Sequence, residues 1–274
     1  KFIKGDIRNT ELLKKVFREE ELLNSPIDIV VHFAGLKAVG ESMRNPIQYW
    51  DNNVVGSVSL FKVMKEFNCN KLVFSSSATV YGAPENNPVN EDALIQPNNP
   101  YGCTKAAIEK ILSDTHFSHE SKLNVIILRY FNPIGAHPSG KLGENPKGVP
   151  NNIFPLLCNV AKGINKELLV FGGDWGTNDG SPVRDYIHVM DLADGHLFSV
   201  EFLLKESSPK FLTLNLGTGK GYSVLELIRQ FEDVSKKHIP YRIVQRRKGD
   251  VAISIADVKK AKKVLNWVSK KDLR

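Results

Sequence analysis

Tyr101 and Lys105 stand four residues apart in Tyr101-Gly102-Cys103-Thr104-Lys105. On a helix, four residues make about one turn, so both side chains sit on one face. An ammonium beside a phenol favours the phenolate and turns a weak acid of pKa about 10 into a usable base. Bringing that pKa to about 7 takes roughly 4 kcal/mol of differential stabilisation. One lysine about 5 Å away, at an effective dielectric of about 20, supplies roughly 3 kcal/mol. A second positive charge nearby would close the gap. Taken alone, Tyr-x-x-x-Lys is common by chance and is as readily a solvated pair on a helix surface. The run Ser75-Ser76-Ser77 changes that balance, because it follows Lys71-Leu72-Val73-Phe74, which reads as a buried strand. Ligands of open α/β sheets bind outside the carboxyl ends of strands. A serine hydroxyl there can hold a substrate oxygen while the tyrosine takes its proton. The bland alternative for the serines is a loop or a helix cap.

These residues need a scaffold, and the pattern supplies one. Short apolar runs at 27–33, 72–75 and 123–129 read as strands, and 46–67 and 101–115 read as helices between them. That alternation predicts a parallel sheet with helices on both faces. From Pro133 to Pro155 the chain is rich in Gly, Pro and Asn, which predicts loops leaving the sheet for a smaller domain, with 154–163 helical. The segment 184–204 and a strand at 211–215 are expected to return to the sheet. The final stretch 259–274 reads as an amphipathic helix, with Val258, Ala261, Val264, Leu265 and Val268 on one face and lysines on the other.

Composition bounds the function. At 274 residues the chain can bury a full core and hold one large or two modest domains. No apolar run approaches the 18 or so residues of a membrane span, and the first residues do not resemble a secretion signal. Cys69, Cys103 and Cys158 are odd in number and widely spaced, so neither a disulfide framework nor a metal site is suggested, and a reducing cytoplasm is expected. The net charge of +7 lies largely in Arg246-Arg247-Lys248 and the last helix. Without interleaved aromatics it predicts no nucleic-acid platform.

Taken together, the motifs are specific. Gly5-Asp6-Ile7-Arg8, the run from His32 to Ser42, the serine and tyrosine motifs, Arg129-Tyr130-Phe131-Asn132-Pro133, Gly148-Val149-Pro150-Asn151-Asn152, Val183-Arg184-Asp185-Tyr186-Ile187-His188-Val189, Asn215-Leu216-Gly217-Thr218-Gly219 and Arg246-Arg247-Lys248-Gly249-Asp250 occur in one order, nearly end to end. The chain resembles the extended short-chain dehydrogenase/reductases and, within them, the UDP-galactose (UDP-glucose) 4-epimerases. That resemblance implies a Rossmann-type doubly wound parallel sheet with a smaller C-terminal α/β substrate domain. Residues 1–132 and 184–218 would form the NAD-binding domain, and 133–183 and 219–274 the nucleotide-sugar domain. It also implies a homodimer through helices 46–67 and 101–115. No Gly-x-x-Gly-x-x-Gly follows a first strand. Lys1-Phe2-Ile3-Lys4-Gly5-Asp6 looks like the third strand of the dinucleotide fold, so two strand–helix units, roughly 60 residues, are expected to be missing. Residues 1–274 alone are therefore expected to bind no NAD, and the function is assigned to the complete protein.

The resemblance implies roles residue by residue. Tyr101 would be the catalytic base and acid, Lys105 would depress its pKa and bond the nicotinamide ribose, and Ser77 would bond the sugar C4 oxygen. An oxidised nicotinamide would be the second positive charge. Asp6, Ile7, Phe33, Ala34, Gly35, Leu36, Lys37, Asn52, Ser75 and Tyr130 would contact NAD, with core packing the rival for Phe33 and Leu36. His32 reads as a satisfied interior histidine. Asn132, Asn151, Asn152, Arg184, Arg247, Asp250 and Ser254 would bind the UDP-sugar. Serine at 254, facing the C2 substituent, leaves room for UDP-N-acetylhexosamines. The alternatives are a nucleotide-sugar 4,6-dehydratase, a decarboxylase, and a catalytically inactive fragment or binding module. Dehydratases carry an Asp-Glu pair where this chain has Ala78-Thr79, which argues against them.

Overall fold

The structure is a computed structural model, and it describes all residues except 147–149 and 151. In chain order the elements are α1 (Thr10–Leu22), β1 (Val30–His32), α2 (Val39–Arg44), α3 (Pro46–Tyr49), a π-helical turn (Trp50–Val55), α4 (Gly56–Glu66) and β2 (Lys71–Ser77). A 3-10 turn (Ala78–Tyr81), α5 (Pro100–His116), β3 (Asn124–Tyr130), β4 (Asn132–Ile134), α6 (Ile153–Ala161), β5 (Leu168–Phe171), β6 (Val183–Arg184) and β7 (Tyr186–His188) follow. The chain continues through α7 (Val189–Lys205), β8 (Phe211–Leu216), β9 (Tyr222–Ser223), α8 (Val224–Ser235), β10 (Tyr241–Val244), β11 (Ile253–Ser254) and α9 (Lys259–Leu265).

Two compact units are formed. The first takes residues 1–82, 95–129 and 196–214, and the second 83–94, 130–195 and 215–274. The central parallel sheet runs in the order β1-β2-β3-β8. Val30, Val31 and His32 lie opposite Leu72, Val73 and Phe74. The core beside it joins Phe17, Leu60, Val63, Met64, Phe74, Ile108, Leu112 and Ile127 from helices and strands. Each such side chain, fully buried, contributes roughly 1.5–3 kcal/mol. In the second unit Leu157, Val160, Leu168, Val170, Leu227, Ile228 and Ile239 make a separate core. Helix α8 begins on a capping box in which Ser223 and Glu226 each take the other's backbone N–H.

Two expectations change. Residues 1–6 form no strand: a strand persists only against a hydrogen-bonded neighbour, and no partner strand pairs with them among the described residues. The helix expected over 259–274 stops at Leu265, because Asn266 adopts a left-handed φ of 53° that ends a helix. Beyond it Trp267 is buried and donates to the Asp191 carbonyl, while the Lys270 and Lys271 amides bond the Asp191 carboxylate. The lysine-rich pattern continued, but these long-range bonds took the backbone. The helix expected over 46–67 is there, widened by the π turn at Trp50–Val55.

Candidate active site

Strand β2 ends at Ser77, and the backbone there turns at once into the 3-10 segment. Gly82 closes that segment at φ 62°, and a Cβ on it would stand 2.0 Å from the Gln96 carbonyl oxygen, so only glycine fits. Helix α5 starts close by. Asn99 caps it by accepting from the Gly102 amide at 2.9 Å, with Pro100 in its first turn. A Cβ on Gly102 would approach the Thr79 carbonyl to 2.8 Å. The two glycines thus let the first turn of α5 lie against the end of β2.

That approach brings the Tyr101 phenol beside the Ser77 hydroxyl. Burial pushes the Tyr101 phenol above its ordinary pKa, and the bond from Ser77 pulls it back. The Ser77 hydroxyl accepts from the Thr79 amide at 3.2 Å and from the Thr79 hydroxyl at 2.9 Å. A hydroxyl has two acceptor sites and one hydrogen. Both acceptor sites are filled, and the hydrogen stays free to donate. One turn further on, Lys105 is 4% exposed and donates to the Ser75 carbonyl at 2.6 Å, with its ammonium 4.8 Å from the Phe74 ring centre. Burial lowers its pKa to about 8.

The residues expected to meet the cofactor, Tyr130 apart, lie in the same unit. Phe33, Ala34 and Gly35 are exposed just past β1, and Phe33 stacks on His196 at 4.8 Å. At 59% exposed, Phe33 is not a core residue, so the packing rival fails for it. Leu36 is half-buried, Lys37 exposed, Asn52 half-buried and Ser75 buried. Asp6 is exposed and paired with Arg8 at 2.6 Å; the hydrogen bonds from Arg8 draw its pKa down to about 2. Ile7 lies against Gly56 at the start of α4. His32 is buried and shares a 2.8 Å hydrogen bond with Ser57; burial lowers its pKa to about 3.

Sequence reasoning missed Asn53. Its buried amide accepts from the Leu36 N–H at 2.7 Å and donates to the Leu36 carbonyl and the Thr104 hydroxyl, both at 3.0 Å. One side chain therefore ties the loop after β1 to helix α5. Its only signal was adjacency to Asn52.

The second unit gathers another set. Arg184 in β6 pairs with Ser254 in β11. Burial lowers the Arg184 pKa, while the nearby Asp250 supports its charge and Arg247 opposes it. Arg247 bonds Asp250 at 3.0 Å and lies 5.3 Å from the Phe171 ring centre, an aromatic that sequence reasoning also missed. Asn132 is held in β4 opposite Tyr186, and Tyr130 ends β3. Asn152 precedes α6 and donates to Glu144. Asn151 lies outside the described residues, as do Gly148 and Val149 of the same motif.

Comparison with known proteins agrees with this geometry. The family described as GDP-mannose 4,6 dehydratase matches residues 1–274. The UDP-glucose 4-epimerase of Bacillus subtilis (strain 168) is 49% identical over 272 residues, covering 99% of this chain and 78% of that protein. The chain belongs to the UDP-glucose 4-epimerase family. Another relative of this epimerase-family chain, the bifunctional UDP-glucose 4-epimerase and UDP-xylose 4-epimerase 3 of Arabidopsis thaliana, is 51% identical over 97% of this chain and 74% of its own length. The crystal structure of UDP-glucose 4-epimerase from Bifidobacterium longum in complex with NAD+ and UDP superposes with a TM-score of 0.93 at 47% identity, covering 99% of this chain and 78% of that one. The Rossmann-type, mixed α/β architecture expected of an epimerase is the one observed.

Proposed function

We propose that this protein interconverts UDP-galactose and UDP-glucose by inverting C4, with NAD as its cofactor. The observation that carries the reading is Tyr101, held against Ser77 with Lys105 one turn below. The residues present fit a bound dinucleotide. A Cβ on Gly35 would stand 3.2 Å from Asn53 Oδ1 and 3.8 Å from Lys105 Nζ, so the glycine keeps the loop open beside the ammonium. The exposed Phe33 offers a flat apolar face on the same loop. Asp6, Ile7, Ala34, Leu36, Lys37, Asn52, Ser75 and Tyr130 are the further proposed contacts.

Bound NAD would supply the hydride acceptor and donor for C4. Tyr101 takes the proton of the C4 hydroxyl and later returns it to the C4 oxygen. Ser77 donates to the phenolate, and the Lys105 ammonium favours the same charge. The first unit is proposed to bind NAD and carry out the proton transfer, and the second to hold the UDP. Arg184 and Arg247 are suited to the diphosphate, because a guanidinium forks onto phosphate oxygens. Asp250 is suited to the ribose hydroxyls, with Asn132, Asn151 and Asn152 as amide partners. A firm nucleotide anchor and a loosely held sugar let the 4-keto ring turn over before it is reduced.

Dehydration would need an acid beside the reacting centre. Thr79 occupies that stretch and its hydroxyl is spent on Ser77, which favours the epimerase reading. Half-buried Ser254 supports the acceptance of UDP-N-acetylhexosamines as well. A homodimer is supported by Ile47, Trp50 and Val55, which expose apolar surface at 81%, 41% and 50% on the helix that the resemblance implicates. The three cysteines are free thiols, which supports a cytoplasmic setting. No helix among the described residues is long and apolar enough to cross a membrane. The deciding experiment is turnover of UDP-galactose by Tyr101→Phe. A loss of at least about a hundredfold with NAD retained supports the assignment; parental turnover would sink it.

A further inference from the structure

Helix α5 meets strand β2 at a third place that the proposed chemistry does not use. Residues 101, 105 and 109 are spaced four apart and share one face of α5. Tyr101 lies beside Ser77, Lys105 donates to the Ser75 carbonyl, and Glu109 accepts from the Ser76 hydroxyl at 2.5 Å. Glu109 is 7% exposed and is gripped by Arg129 of β3 through two bonds, at 3.1 and 2.7 Å. Arg129 is itself 5% exposed and bonds the Tyr81 hydroxyl at 2.9 Å. A buried ion pair is often no more stabilising than well-packed apolar side chains of the same volume. Its presence under the active helix calls for another reason.

We propose that Glu109 is a positioning residue of the active site: anchored by Ser76 and Arg129, it locks α5 against the three serines and supplies the counter-charge to Lys105. Nothing in Tyr-x-x-x-Lys alone provides that charge. The charged and titratable groups facing this corner are His32 from β1, Tyr101 and Glu109 from α5, Arg129 from β3, and Tyr49 with its partner Glu41 from α3 and α2. His32 is neutral over the working pH range, because burial holds its pKa near 3. Tyr49 is pushed the other way by burial and by Glu41, so it is also neutral. Glu109 is the anion that acts on Lys105, and it opposes the lowering caused by burial. The ammonium keeps its proton near neutrality because Glu109 lies one turn away. The inference rests on the epimerase reading for its purpose, but not for its test.

The test compares Glu109→Gln with the double variant Glu109→Gln/Arg129→Met, in full-length protein loaded with NAD. Glutamine keeps the shape and removes the charge. The double variant also removes the unpaired guanidinium, so it folds where the single one fails. Lysine labelled with 15N at Nζ lets the Lys105 ammonium be titrated by NMR, independently of turnover. One negative charge lost about 6 Å away, with an effective dielectric of about 20, predicts a midpoint lower by about one to two pH units in Glu109→Gln, and a smaller fall in the double variant, where the Arg129 charge goes as well. The alkaline limb of the kcat profile moves down with it. An unchanged Lys105 midpoint in both, with only the thermal midpoint altered, would mean that Glu109 merely holds the fold and would overturn the proposal. If the parental protein fails to turn over UDP-galactose, the epimerase reading falls while the titration still decides this one.

Discussion

At the scale of the residue, Lys105 is where burial and function pull in opposite directions. Its pKa of about 8 lies below the ordinary lysine value, so burying its charge costs the fold stability at neutral pH. Below about pH 8 that cost is present in full. It is relieved as pH rises from about 8 toward 10.5, where the unfolded chain still holds a proton that the folded one has lost. Lys105→Met therefore raises stability at pH 7 by about 1–3 kcal/mol and abolishes turnover, and the gain shrinks as pH approaches 10.5. Denaturant titrations at pH 7 and pH 10 check both signs; a variant that is less stable at pH 7 would refute this account of the lysine. Ser254 is argued the other way, from space. Ser254→Tyr keeps UDP-galactose turnover within a few-fold and removes turnover of UDP-N-acetylgalactosamine, measured side by side. Loss of both, or of neither, would show that position 254 does not face the C2 substituent.

At the scale of the element, the loop after β1 and the first half of α5 are joined by one buried amide. Asn53→Leu keeps roughly the volume but strips the Leu36 N–H and carbonyl of this partner, while the Thr104 hydroxyl keeps its bond to the Tyr101 carbonyl. Buried polar groups left unpaired cost about 1–3 kcal/mol each, so the variant loses about 2–4 kcal/mol and binds NAD more weakly. Denaturation and NAD binding measured on one preparation read both effects, and an unchanged stability would show that the clamp is idle. This element also shows what could be read in advance. The placing of Tyr101 and Lys105 on one face of α5 beside the end of β2 was legible because helix geometry fixes a four-residue spacing. The strands at 72–75 and 123–129 and the helix 101–115 were legible because their apolar periods were clear. Asn53 was not, because nothing local separates a clamp from a surface asparagine, and its partners are 17 and 51 residues away. Glu109 and Arg129 read as helix and strand charges until the fold buried them together. The end of α9 was missed because the periodicity ran on through a residue that turned left-handed.

At the scale of the whole molecule, two units have separate cores. One holds Tyr101, Lys105 and Ser77 and the other the cluster Arg184, Arg247, Asp250 and Phe171. In the proposed reading the first fixes which atom reacts, and the second is suited to hold the nucleotide while the sugar changes face. The central claim is that C4 loses and regains the same hydride. The direct measurement uses UDP-galactose carrying deuterium at C4, turned over by the NAD-loaded protein in ordinary water, with the product examined by NMR. The account predicts UDP-glucose with the deuterium still at C4. UDP-glucose with hydrogen from water at C4, a dehydrated sugar, or no product would contradict it.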